Sequence, residues 1–255
     1  MAENFEPNNN RDLVKYLEDY QVLPFEPVQE VFRRKKLINE ILKFPSGHIV
    51  EVGSGRKSVF SEFSPAESGT VIEPIEKLLE EARSGVMSPH LIKFFNGTLN
   101  KYLDSNSAGK ADSVIVSSLL HEMEDSASFL KDCRDITAID GRIIIIVPNK
   151  KSIHRILGTF NATQVSLDSK TVTEELMQQH SGAYSMEQLV LELENSGFSV
   201  DNVETFFPKL LPHSLMQDAL DSSVINVDFL KMFDELIKYI PEFGSEIIIT
   251  GTKVS

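Results

Sequence analysis

The sequence predicts an α/β domain built on a seven-stranded, mostly parallel sheet with helices on both faces and further helical covers. Three observations lead there. Short apolar, β-branched runs alternate with helix-patterned segments from about residue 48 onward. One run, Ile143 to Val147, is apolar at every position, as a strand covered on both faces must be. The first run ends directly in a glycine turn, Gly53-Ser54-Gly55.

Taken in order, residues 11–44 carry helical periodicity in two pieces, RDLVKYLEDY and EPVQEVFRRKKLINEILKF, interrupted by Pro24 and Pro27. HIVEV (48–52) reads as the first strand, followed by the glycine turn and a helix at SVFSEF. GTVIEP (69–74) is the second strand and IEKLLEEARSG the next helix, stopped by Gly85. LIKFF (91–95) and ADSVIVSSLL (111–120) are the third and fourth strands, the latter leading into a helix at ASFLKDCRDITAI that Gly141 ends. RIIIIVP (142–148) is the central strand. A long excursion without strand pattern then runs to a helix at SMEQLVLELENSGF. FSVDNVETFF (198–207) and SEIIITGTKV (245–254) complete the sheet, with a helical stretch between them. Excursions of such length within an α/β domain usually cover a site.

Composition narrows the partners. The 255 residues fit one domain across 1–255, and a net charge of −13 repels phosphate backbones and anionic lipid, so neither nucleic acid nor membrane is expected. Cys133 is the only cysteine, which excludes an intrachain disulfide, and no zinc spacing is present. The stretch Met1 to Asn10 lacks the basic and apolar regions of a signal peptide, so the cytoplasm is the expected location. The apolar stripe of VFRRKKLINEIL can pack on its own body or on a second subunit, which leaves a homodimer open.

The chemistry concentrates at the glycine turn. Glycines let the backbone turn sharply and approach a ligand, and a following helix would offer its N-terminal N–H groups. An isolated G-x-G is as readily a plain tight turn. Here Glu73 ends the second strand about 20 residues beyond Gly53, where a carboxylate can accept from ribose hydroxyls. The plain alternatives are a solvated strand end for Glu51 and a helix N-terminal charge for Glu73. A dinucleotide fingerprint needs a third glycine, but Ser58 holds that position. Glu51 also suits a cationic amino group better than a diphosphate.

These residues resemble the class I S-adenosylmethionine (SAM)-dependent methyltransferases. EVGSG is similar to their first motif, VIEP to the acidic second, FFNGTL (94–99) to the segment after the third strand, and SSLLHEMED (117–125) to that after the fourth. VPNKKSIHRILG with QHSGAYSMEQLVLELENSGF resembles a subgroup of bacterial small-molecule and surface-glycan methyltransferases. Two departures stand out: Lys57 replaces a small residue, and Asn96 or Thr98 replaces an acidic one.

The resemblance implies a Rossmann-like sheet, SAM as cofactor, no metal, and a small-molecule acceptor methylated on oxygen. Residues 1–44 become a helical cover, 45–150 the cofactor-binding core, and 150–183 and 208–243 substrate covers. Glu51, Gly53, Ser54 and Gly55 would flank the methionine part, Glu73 and Pro74 the ribose, Gly97 and Thr98 the adenine, and Ser118 completes the cofactor set. An oxygen nucleophile of high pKa needs a base, and His121, just past the fourth strand, stands where open α/β sheets place reacting groups. His154 is the second catalytic candidate. Tyr16, Tyr20, His180 and Tyr184 are the substrate-binding candidates, and for all the histidines turn packing is the plain alternative. An NAD(P)-dependent oxidoreductase on a related sheet and a non-catalytic SAM-binding protein remain the competing readings.

Overall fold

The run Ile143 to Val147 forms an interior strand of the sheet, and its side chains divide strictly between two faces. Ile143, Ile145 and Val147 join one core, while Ile144 and Ile146 join the other. The period of two in an extended chain imposes this division. Val50, Val52, Val114, Val116, Ile247 and Ile249 follow the first set, and Ile49, Ile115 and Ile248 the second. Each such side chain taken fully out of water contributes about 1.5–3 kcal/mol, so a strand apolar on both faces is stable only with a layer on each.

A computed structural model of the chain describes residues 23–44, 47–105, 108–160, 164–171, 174–175 and 182–254. Its elements, in order, are α1 (Glu26–Leu42), β1 (His48–Val52), β2 (Ser68–Glu73), α2 (Glu76–Gly85), β3 (Ile92–Asn96), α3 (Leu99–Leu103), β4 (Ala111–Ser117) and α4 (Ser126–Ile136). They continue with β5 (Thr137–Pro148), α5 (Ile153–Phe160), α6 (Met186–Asn195), β6 (Phe198–Phe206), α7 (His213–Asp221), α8 (Val227–Asp234) and β7 (Glu246–Lys253). The strand order is β3-β2-β1-β4-β5-β7-β6. All neighbours are parallel except β7, which runs against both β5 and β6.

α3, α4 and α6 cover the first face with Leu99, Leu130, Cys133 and Leu189, and α1, α2, α7 and α8 cover the second with Phe32, Leu37, Leu79, Met216 and Leu230. The apolar stripe of α1 thus packs on its own sheet. Among the described residues no helix is long and apolar enough to cross a membrane.

Three expectations need correction. SVFSEF does not form a helix: only a single 3-10 turn, Val59–Ser61, follows the glycine turn. One i to i−4 bond does form, Phe63 N to Val59 O at 3.1 Å, but Pro65 has no amide hydrogen and disfavours helical backbone at Ser64, so the segment stops after that turn. The helix at ASFLKDCRDITAI ends at Ile136, and β-branched Thr137 already belongs to β5. The residues expected to finish a helix instead lengthen the strand through an irregularity opposite Ala111, with Asp140 at φ 60°. The excursion after Asn149 begins with an unforeseen helix, α5.

Candidate active site

The chain leaves β1 outward toward β2 and β3, then returns to lay β4 on the other side of β1. Strand ends diverge at such a switch point, and a crevice opens beyond them. A cavity of about 1400 Å³ lies there.

The glycine turn forms its floor. Gly53 (φ 74°) and Gly55 (φ 56°) both occupy the left-handed region, and a Cβ at Gly53 would stand 2.8 Å from Leu119 Cδ2 in the loop after β4. Glu73 ends β2 and closes the turn: its Oε2 accepts from Gly55 N at 3.1 Å and its Oε1 from Ile75 N at 3.0 Å. Burial raises its pKa to about 7, against the lowering effect of those two amides, and the charges of Glu122 and Glu51 add to the rise. Glu51 is buried as well. Its Oε1 accepts from Val59 N at 2.9 Å and its Oε2 from the Ser58 hydroxyl, so both oxygens shape the loop beside the cavity. Burial raises the pKa of Glu51 too.

The remaining expected cofactor residues line the same cavity, namely Ser54, Pro74, Gly97, Thr98 and Ser118. Gly97 N donates to Glu73 O at 3.2 Å, and Thr98 starts α3 with its hydroxyl bonded to Asn100. Ser118 turns the chain out of β4 at φ 55°, a conformation that costs a non-glycine residue about 1–3 kcal/mol, and Ile146 O holds its amide at 2.9 Å. His121 follows in a 3-10 turn, Leu120–Glu122, 3% exposed and on the cavity wall.

The opposite wall is polar, and sequence reasoning missed most of it. It comes from α1, the end of β5, α5, the segment after β6 and the start of β7. Arg33 Nε donates to Glu246 Oε1 at 2.8 Å and Arg33 Nη1 to Glu26 Oε1 at 2.9 Å. Gln29 Nε2 gives Glu246 a further bond at 3.0 Å, while Gln29 Oε1 accepts from Lys209 Nζ at 3.2 Å and pairs with His213 Nε2 at 3.1 Å. Burial lowers the Lys209 pKa to about 8 and that of His213 to about 2, the latter helped by the Lys209 and Arg33 charges. His154 stands on this wall. Burial, with Lys209 and Arg155 nearby, holds it well below the usual imidazole range, so it is neutral at physiological pH.

Charged residues within apolar-patterned stretches were the available signal for this wall: Arg33 in VFRRKKL, Lys209 in FFPKLLP and Glu246 ahead of IIIT. Tyr184 corrects an expectation. It is 1% exposed, packs in the first core and is not among the cavity residues, because its amide and carbonyl bind Pro148 O and Lys150 N and draw it under the sheet end. Tyr16, Tyr20 and His180 lie outside the described residues. Among the described residues no three His, Cys, Asp or Glu side chains are grouped to hold a metal ion.

Neither protein-family models nor curated proteins give a match to the chain. Solved structures do. An S-adenosylmethionine-dependent methyltransferase from Mesorhizobium loti superposes with a TM-score of 0.56 at 16% identity, covering 87% of this chain and 98% of its own. One from Archaeoglobus fulgidus gives 0.55 at 19%, covering 86% and 92%. The N-methyltransferase NodS from Bradyrhizobium japonicum, in complex with S-adenosyl-L-homocysteine (SAH), gives 0.58 at 11%, covering 94% and 99%. With its switch-point cavity, its strand order and its antiparallel β7, the chain has the fold of the class I SAM-dependent methyltransferases.

Proposed function

We propose that the chain binds SAM and transfers its methyl group to an oxygen atom of a small-molecule acceptor. One observation carries this reading: the glycine turn is bordered by the buried carboxylates of Glu51 and Glu73 and is followed by a single 3-10 turn in place of an α-helix. A pyrophosphate needs a helix N-terminus and suffers from nearby carboxylates. A cationic cofactor without phosphate suits the same place. The sheet also argues against a dinucleotide oxidoreductase, whose usual order, 3-2-1-4-5-6, has no antiparallel strand inserted beside β5.

SAM would supply a methyl group activated on a sulfonium. Glu73 would accept from the ribose hydroxyls, the backbone from Gly53 to Gly55 would lie along the methionine part, and Gly97 and Thr98 would meet the adenine. The cavity exceeds the roughly 300–1,000 Å³ of ordinary ligand sites, so cofactor and acceptor fit together. The walls then align the acceptor oxygen, which is the main source of rate in a displacement of this kind. His121 would take the proton from that oxygen.

The decisive experiment is calorimetric titration with SAH, set beside thermal protection by SAM and by NAD. SAH binding with protection by SAM alone is expected. Protection by NAD without SAH binding would overturn the proposal.

A further inference from the structure

Residues 56–58 lie between the glycine turn and the 3-10 turn, in neither helix nor strand, so side chains must satisfy much of the backbone around them. Arg34, on α1, supplies that from outside. Its Nη1 donates to Lys57 O at 2.7 Å and to Ser58 O at 2.8 Å, which uses both hydrogens of that nitrogen. Its Nη2 pairs with Glu30, and its Nε lies 3.4 Å from Glu62. From the other side Glu51 takes the Ser58 hydroxyl and the Val59 amide. Glu30 and Glu62 balance the charge of this buried guanidinium, and its remaining donors satisfy two loop carbonyls that would otherwise lose their partners.

We propose that Arg34 is a positioning residue of the cofactor site. It stands in for the absent helix, fixing residues 57–59 so that Glu51 can brace the turn and leave the backbone from Gly53 to Gly55 facing the cavity. Its neighbour Arg33 turns to the opposite wall, so α1 supports both halves of the site. The proposal rests on the SAM reading for the identity of the ligand but not for the clamp itself.

The test uses the full chain with Arg34→Met, Arg34→Lys and, on the same helix, Lys36→Met as a control, since among the described residues Lys36 pairs with Glu40 and Glu204, away from the glycine turn. Two quantities are read: the SAH dissociation constant by calorimetry, and the hydrogen-exchange rates of the Gly55 and Val59 amides in the ligand-free protein. Arg34→Met is expected to weaken SAH at least about tenfold, the loss of one charge-assisted bond, and to speed exchange at both amides while β4 and β5 stay protected. Arg34→Lys, with the charge but not the fork, should recover only part of each, and Lys36→Met should match the parent.

Weaker SAH binding with unchanged exchange would mean that Arg34 touches the ligand directly, which overturns the positioning role. Full recovery by lysine would overturn the carbonyl fork. A parent protein that ignores SAH would defeat the SAM reading, yet the exchange rates would still decide whether the clamp exists.

Discussion

The carboxylate of Glu73, at the end of β2, accepts a hydrogen bond from the Gly55 amide in the turn after β1 at 3.1 Å. The group that ends one strand thereby sets the conformation of its neighbour's loop. With its pKa raised to about 7, Glu73 changes charge within the physiological range. Only the ionised form keeps all its acceptor sites. SAH affinity should therefore fall about tenfold between pH 8 and pH 6, as one proton is taken up. Glu73→Gln should weaken binding by about 1.5–3 kcal/mol and flatten that dependence.

Stability responds with the opposite sign. Between the ordinary carboxylate value and about 7 the folded state holds a proton on Glu73 that the unfolded state has lost, so this residue makes the protein less stable as pH rises through that window. Chemical denaturation at pH 5 and pH 8 should show a smaller stability change in Glu73→Gln than in the parent. An equal change in both would locate the titration elsewhere.

Gly53 faces two separable constraints, its positive φ and the Leu119 side chain. Gly53→Ala should cost about 1–2 kcal/mol for the left-handed backbone, with the Leu119 contact adding to it. Combining it with Leu119→Ala should remove the contact and leave the backbone cost. A double-mutant cycle with no coupling would show that the two loops do not touch as described.

Arg33 and Glu246 join α1 to the first residue of β7, both deeply buried. Arg33→Met should destabilise the fold by about 3–5 kcal/mol because it leaves Glu246 buried without its charge partner, with the neutral Gln29 amide still bonded to it. Adding Glu246→Leu should restore much of the loss, and denaturant midpoints of the single and double variants check this directly.

His121 and His154 make different demands on pH. His154 stays neutral far below its usual range, so it contributes no titration limb between pH 6 and 8. With an acceptor found by screening, His121→Ala should lower turnover about a hundredfold while SAH affinity holds. Ordinary turnover in that variant would leave alignment as the source of rate and point to an acceptor oxygen already ionised.

The sheet was legible because strands announce themselves locally: HIVEV, TVIE, SVIVS and IIIIV each carry their pattern within a few residues. The glycine turn and Glu73 were legible for the same reason. The helix expected at SVFSEF stops after one turn because Pro65 follows so closely, and the periodicity of six residues does not register where a segment must end. The polar wall was illegible as a unit. Gln29, Lys209 and Glu246 meet across separations of 180 and 217 residues, and each alone looks like a stray charge or amide in an apolar run. Tyr184 misled because its backbone pairs with Pro148 and Asn149 at the cavity edge while its own side chain packs in the core.

The reversed direction of β7 bears on how this chain can be recombined. Set between two strands that run the other way, β7 alone in the sheet brings its first residue to the rim of the cavity, so Glu246 reaches it at the start of a strand. Groups proposed to meet the cofactor lie between residues 51 and 121, and those of the opposite wall follow residue 148, apart from the contribution of α1. A chimera that takes residues 149–254 from another scaffold would keep the glycine turn intact yet leave Arg33 facing a foreign strand. Only a graft that carries a matching α1 face would preserve both halves, with Arg34 kept for the resident loop and the position of Arg33 rewritten for the newcomer.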